Sequence, residues 1–380
     1  MKIKQILLFF TFIFLFSCEK DSEVISPQNM AEKTKIIDMH IDVPYRLWRQ
    51  NLNGDQIDDI SGPTLRGDFD YPRAIKGGLN VPFFSIYTPA STQLDNSSHE
   101  MAVSLIRMIE DLVTEHPEKF YLVKSTDDIN NLNKKGLGIA FGMENGAPIE
   151  KELSRVQFYF DRGIRYITLT HSKSNQISDS SYDLNRQWGG LSDFGKLLIP
   201  EMNRVGIMID ISHVSDEAFF QAIELSEVPV IASHSSLRHF TPGFERNVSD
   251  EMMISLASKG GVISINFGSS FITEEALKYG QQKGGRSEGT YPHANLTDVV
   301  DHIDRVVQLV GINHVALGSD YDGVGDSLPN NLKDVSTYPN LIEELFKRNY
   351  TEEDVEKILS GNIIRVWRKV EEFADGKESL

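Results

Sequence analysis

Short apolar runs rich in β-branched residues alternate along this chain with longer stretches whose apolar positions recur every three or four residues. The runs fall at 36–40, 79–86, 137–143, 165–170, 206–211, 228–233, 262–267 and 314–318, and each predicts a strand buried on both faces. Helical periodicity lies between them at 99–116, 151–162, 191–203, 215–225 and 296–310; in the first of these Val103, Ile106, Ile109 and Val113 share one face. Strand–helix alternation of this kind predicts a parallel sheet with helices packed outside it. Eight such units point to an α/β protein with a closed (β/α)8 TIM-type barrel rather than an open doubly wound sheet. Two additional C-terminal helices are expected at 340–348 and 352–370, the second opened by a Thr351–Asp354 capping box. Polar, Gly-containing segments at 51–72 and 271–293 read as loops decorating the barrel mouth.

The N-terminus follows a different pattern. Lys2 and Lys4 precede an apolar stretch from Ile6 to Phe16, too short for a bilayer span of roughly 20 residues. It closes on Leu15-Phe16-Ser17-Cys18, which is similar to a lipoprotein processing site, and Cys18 is the only cysteine of the 380 residues. The division expected is a lipoprotein signal peptide over 1–17, an anchor and tether over 18–34, and one barrel domain over 35–380. Such a protein is held by a lipid at a membrane of the cell envelope, on its periplasmic or surface side, and forms no internal disulfide. A formal charge of −17 without a basic stripe argues against a nucleic-acid partner.

The candidate chemistry sits at the ends of the strand-like runs KIIDMHID, LGIAFGMEN, GIMIDISH, VPVIASH and NHVALGSD. They place His40, Asp42, Glu144, His213, His234 and Asp320 on the C-terminal rim, where a parallel barrel gathers its strand ends. Singly each has a bland reading, as a solvated carboxylate, a turn residue or a core histidine. Jointly they are the N/O ligand set of a hydrolytic centre for a divalent metal. Two ions fit better than one: His40, Asp42 and Glu144 for the first, Glu144, His213 and His234 for the second. Zinc is the default, with cobalt or manganese open. Two such ions acidify a shared water into a hydroxide that attacks a carbonyl, and Asp320 is placed to move its proton.

From 36 to 370 the chain resembles the membrane (renal) dipeptidase family of the amidohydrolase superfamily. The stretches that carry the resemblance are IDMHIDVPYRLW, FFSIYTPA, GMENG, RYITLTHS, GIMIDISHVS, VIASHSS, RNVSDEM, LGSDYDGV and DVSTYPNLIEEL. The resemblance implies a binuclear zinc dipeptidase, a metallopeptidase acting on L-L and L-D dipeptides, with Asp320 as proton shuttle. It adds His171 as the group that steadies the oxyanion, Arg246 as the clamp on the substrate carboxylate, and Tyr87 as an aromatic of the pocket wall. The chain departs from mammalian members at Ala90 and Lys173, which stand where those carry disulfide cysteines, and at Gly268, which stands for an aromatic. Side-chain preference therefore does not carry over, and β-lactam hydrolysis and a homodimer stay open. The competing expectations are an N-acyl-amino-acid deacylase on the same barrel and a non-catalytic lipid-anchored binding protein.

Overall fold

The computed structural model describes residues 25–130, 136–282 and 290–376. Among the described residues, nine strands form one parallel sheet: β1 (Ile36–Ile41), β2 (Leu79–Tyr87), β3 (Phe120–Leu122), β4 (Leu137–Glu144), β5 (Ile164–Thr168), β6 (Met208–Asp210), β7 (Ile231–Ser235), β8 (Val262–Ile265) and β9 (Val315–Leu317). β1 pairs with both β2 and β9, and β2 pairs with β4, so all but β3 close into an eight-stranded barrel. All eight expected strands are present, most with ends shifted by one to three residues. β3 was not foreseen. It shares one edge of β4 with β2, pairing at Leu137–Ile139 while β2 takes Ala140–Glu144, and so extends the ring at its N-terminal end.

The helices 99–116, 151–162, 191–203, 215–225 and 296–310 appear as Ser98–Glu115, Ser154–Asp161, Asp193–Val205, Asp216–Leu225 and Leu296–Val310. Their apolar faces and the outward strand residues, Ile36, Phe84, Ile139 and Ile209 among them, form one continuous layer. A second cluster fills the barrel itself with Ile37, Met39, Val81, Phe83, Tyr166 and Met208. The C-terminal helix closes its floor: Ile363, Val366, Trp367 and Val370 join this inner cluster, and the Trp367 ring meets Phe83 edge-on at 5.4 Å. That helix runs as expected from Glu352 onward, with a π turn at Lys357–Gly361 before Asn362–Ala374.

Three expectations need correction. The stretch 18–34, expected as anchor and tether, contains in its described part a helix, Pro27–Lys33, capped by the Ser26 hydroxyl and buried at Met30 and Ala31. The loop expected at 51–72 begins inside the helix Val43–Asn53, and 71–72 open the helix Tyr71–Gly77. The loop expected at 271–293 holds the helix Glu274–Gln281. The side chains of Ser26, Asp70 and Thr273 cap the helices at Pro27, Tyr71 and Glu274, a signal that a reading by apolar content alone passes over.

Candidate metal centre and active site

Register shifts in β1 between Asp38 and Ile41, and in β7 between Ala232 and Ser235, fall on the residues flanking His40 and His234. A bulge near a strand end re-aims a side chain, and here it brings both imidazoles to the mouth. His213 and Asp320 follow their strands in the left-handed region, with φ of 72° and 64°. That conformation costs a non-glycine residue about 1 kcal/mol and is concentrated at functional sites.

The side chains meet around Glu144. One of its oxygens, Oε1, lies 3.1 Å from His213 Nε2, 3.2 Å from His234 Nε2 and 3.5 Å from His171 Nε2. The other, Oε2, lies 3.4 Å from His40 Nε2, which is also 3.4 Å from Asp42 Oδ2. The His40 and His234 rings stack at 3.7 Å. Ligand-type atoms within 4.8 Å of one another fall into three overlapping sets: His40 with Glu144 and His234, Glu144 with His171 and His213, and His40 with Asp42 and Asp320. The expected residues thus lie in one cluster, in sets that overlap the two expected triplets, and His171 joins them at 3.5 Å from Glu144, a little farther than His40, His213 or His234.

The cluster fits divalent cations. His40 Nε2 and Asp42 Oδ1 are buried without a hydrogen-bond partner. The His213 and His234 Nε2 atoms face each other at 2.9 Å. A Cβ on Gly323 would come within 2.1 Å of Asp320 Oδ1 and 2.2 Å of Asp42 Oδ2, so only glycine leaves those oxygens clear. Burial holds the His213 and His234 pKa well below the usual imidazole value, which keeps their lone pairs free. Burial also acts on His40, but the facing Tyr166 oxygen and the carboxylates of Glu144 and Asp42 outweigh it and carry its pKa up. Glu144 is held well below the carboxylate range: its burial is overcome by His40 and His171 and by hydrogen bonds from His213 and His234. Asp320 goes the other way, raised by burial and by Asp42 and Glu144. Its Oδ2 accepts from Asn266 at 2.7 Å.

A cavity of about 1020 Å³ opens above the cluster, lined by Asp42, Glu144, His171, His213 and Asp320 and walled by Tyr45, Tyr87, Tyr182 and Phe271. Tyr87 Oη stands 3.4 Å from His171 Nδ1. Arg246 is not in that lining. It lies buried behind it, donating to Ser235 Oγ at 2.6 Å and to the His234 carbonyl at 2.7 Å, with Nε unpartnered. No ion pair to Arg246 occurs among the described residues, so this buried cation lacks an anion. Tyr182 and Asn266 were missed in the sequence; the signal for Asn266 was a polar residue inside the apolar run 262–267.

A family model described as Membrane dipeptidase (Peptidase family M19) matches residues 26–379. Dipeptidase 3 of Mus musculus is 32% identical over 345 residues, which span 90% of this chain and 65% of the mouse protein. The chain therefore spans just under two thirds of that relative. An uncharacterized dipeptidase of Schizosaccharomyces pombe is 33% identical over 361 residues, covering 90% of this chain and 82% of its own length. The crystal structure of the probable dipeptidase PvdM from Pseudomonas aeruginosa superposes with a TM-score of 0.78 at 25% identity, covering 92% of this chain and 98% of its own.

Proposed function

The chain belongs to the membrane dipeptidase family, peptidase family M19, and from that membership we propose that it hydrolyses the peptide bond of dipeptides at a two-metal centre. The observation that supports this most directly is the convergence of His40, His171, His213, His234, Asp42, Glu144 and Asp320 at one rim. His40, Asp42 and Glu144 would hold one divalent ion and Glu144, His213 and His234 the other, zinc by default. When bound, such ions supply an acidified water and positive charge at the scissile carbonyl.

The chain's own groups do the rest. Asp320, with Oδ2 held by Asn266, takes a proton at Oδ1 and returns it to the leaving amine. His171 directs an N–H at the carbonyl oxygen as its charge develops. Arg246, a buried cation without a carboxylate of its own, is the clamp that the family resemblance assigns to the substrate's terminal carboxylate, which would have to reach it past the Phe271 ring of the cavity wall. Tyr87 walls the pocket beside His171. The cavity is roomy for two residues, so selection against longer peptides falls to this clamp rather than to size. At the N-terminus, a signal peptide over 1–17 and a lipid on Cys18 would fix the protein to an envelope membrane; both lie outside the described residues. Among the described residues, no helix is long and apolar enough to cross a membrane.

The test measures bound metal and the hydrolysis of L-L and L-D dipeptides, a tripeptide and an N-acetylated dipeptide, before and after chelation. Dipeptide cleavage that chelation abolishes and zinc restores is expected. Preference for the N-acetylated substrate would make the protein a deacylase instead, and activity indifferent to chelation would sink the metal centre.

A further inference from the structure

Metal-binding imidazoles usually donate their second ring N–H to an outer partner, and that partner decides which nitrogen carries the proton and which offers a lone pair. Two hydroxyls occupy that position here. Tyr166 Oη lies 2.8 Å from His40 Nδ1 and 3.0 Å from the Met39 carbonyl oxygen. A carbonyl only accepts, so the single phenolic proton goes to Met39 and His40 Nδ1–H must donate to the phenol. His40 Nε2 is then the free nitrogen, and it is the one aimed at Asp42 and Glu144.

Ser233 repeats the logic on β7. Its Oγ lies 2.7 Å from His234 Nδ1 and 2.6 Å from Asp210 Oδ2. The carboxylate only accepts, so the serine proton goes to Asp210 and His234 donates from Nδ1, leaving Nε2 toward Glu144. Asp210 is itself fixed by the N–H groups of Ser212 and Ser233. The barrel is shaped around the first of these devices: a Cβ on Gly142 would lie 1.9 Å from the Tyr166 ring, so β4 yields a side chain to seat it. The other two imidazoles have nothing comparable. His213 Nδ1 has no partner, and His171 Nδ1 has only the Tyr87 hydroxyl at 3.4 Å.

We propose that Tyr166 and Ser233 are positioning residues that lock His40 and His234 as Nδ1–H tautomers, presenting Nε2 to the ions. The proposal rests on the two-metal reading above but concerns residues that touch neither ion nor substrate. Tyr166→Phe keeps the ring and removes only the hydroxyl; Ser233→Ala does the same on β7. Zinc affinity is measured by competition with a chelating dye on metal-depleted protein, with kcat at saturating zinc and dipeptide as a second readout. Each variant should bind zinc roughly 10- to 100-fold more weakly, while kcat at saturating zinc returns to within a few-fold of the parent. Ser233→Thr, which keeps the hydroxyl, should recover most of the affinity. Zinc binding as tight as the parent's in either Tyr166→Phe or Ser233→Ala overturns the proposal. So does a fall in kcat at unchanged affinity, the mark of a merely structural role. If the parent itself binds no zinc in this assay, the metal centre fails and the proposal with it; if the parent binds zinc and cleaves dipeptides while the variants match it, only the proposal fails.

Discussion

Asp320 and Glu144 are both buried carboxylates that share His40 as a neighbour, yet their pKa values move in opposite directions. Glu144 is surrounded by imidazoles that outweigh its burial and keep it ionised, whereas burial, reinforced by Asp42 and Glu144 and only partly offset by His40, raises the affinity of Asp320 for a proton. Separation of this kind is what the proposed roles, Glu144 as ligand and Asp320 as proton carrier, would require. Asp320→Asn should therefore keep the metal content of the parent while turnover falls by about 10²- to 10⁴-fold; equal turnover would remove Asp320 from the reaction. Away from the site, His302 is buried between two backbone groups, accepting from the Leu237 N–H at Nδ1 and donating to the Ile272 carbonyl from Nε2. Burial pushes its pKa from 6.5 to about 4. The unfolded chain binds the extra proton between those values, so this contribution is whole above the unfolded pKa and is lost as pH falls toward the folded one. Urea unfolding should show about 2 kcal/mol more loss between about pH 7.5 and about pH 5 in the parent than in His302→Gln; parallel pH slopes would refute it. The strand-end ligand candidates were legible because strong ligand types stood where apolar runs stop. Tyr166, Asp210 and Ser233 were not, since a residue inside a strand gives no sign of which imidazole it will face.

The eight barrel strands were the most legible elements, because apolar runs covered on both faces stand out against everything else, while the short extra strand β3 was not. The short helices hid for the opposite reason: Tyr71–Gly77 and Pro27–Lys33 bury only one or two residues each, too few to show a period. Caps were the better guide. The Thr351–Asp354 box expected in the sequence is present, Thr351 Oγ1 accepting from the Asp354 N–H at 3.2 Å and Asp354 Oδ2 accepting from the Thr351 N–H at 3.0 Å. It starts the helix whose later turns plug the barrel floor, so its loss is felt by the core and not by the mouth. Thr351→Ala should cost about 1 kcal/mol in urea unfolding and leave kcat/KM unchanged; a change in kcat/KM would show that the floor communicates with the rim.

At the scale of the molecule, the parallel strands put all the chemistry at one end and the chain's entry at the other. Residues before Ile36 reach β1 from the floor side, and the helix Pro27–Lys33 is fastened there. Its Ala31 carbonyl oxygen sits 2.6 Å from where a Cβ of Gly78 would stand, just ahead of β2, and Lys33 pairs with Glu352 at 3.1 Å. Ile25, the first described residue, is seven positions from Cys18, a reach of at most roughly 25 Å even fully extended. A lipid on Cys18 would therefore hold the floor toward the bilayer and leave the mouth facing away from it, open to the proposed substrates. The anchor and the site are then independent, and separating them is the test. Cys18→Ser should move the protein from the membrane fraction to the soluble fraction of its host while kcat/KM for a dipeptide stays that of the parent. Retention in the membrane fraction would mean that something other than Cys18 holds the protein there. Release with a loss of kcat/KM would mean that the bilayer shapes the mouth, and the opposed placement of floor and rim would have to be abandoned.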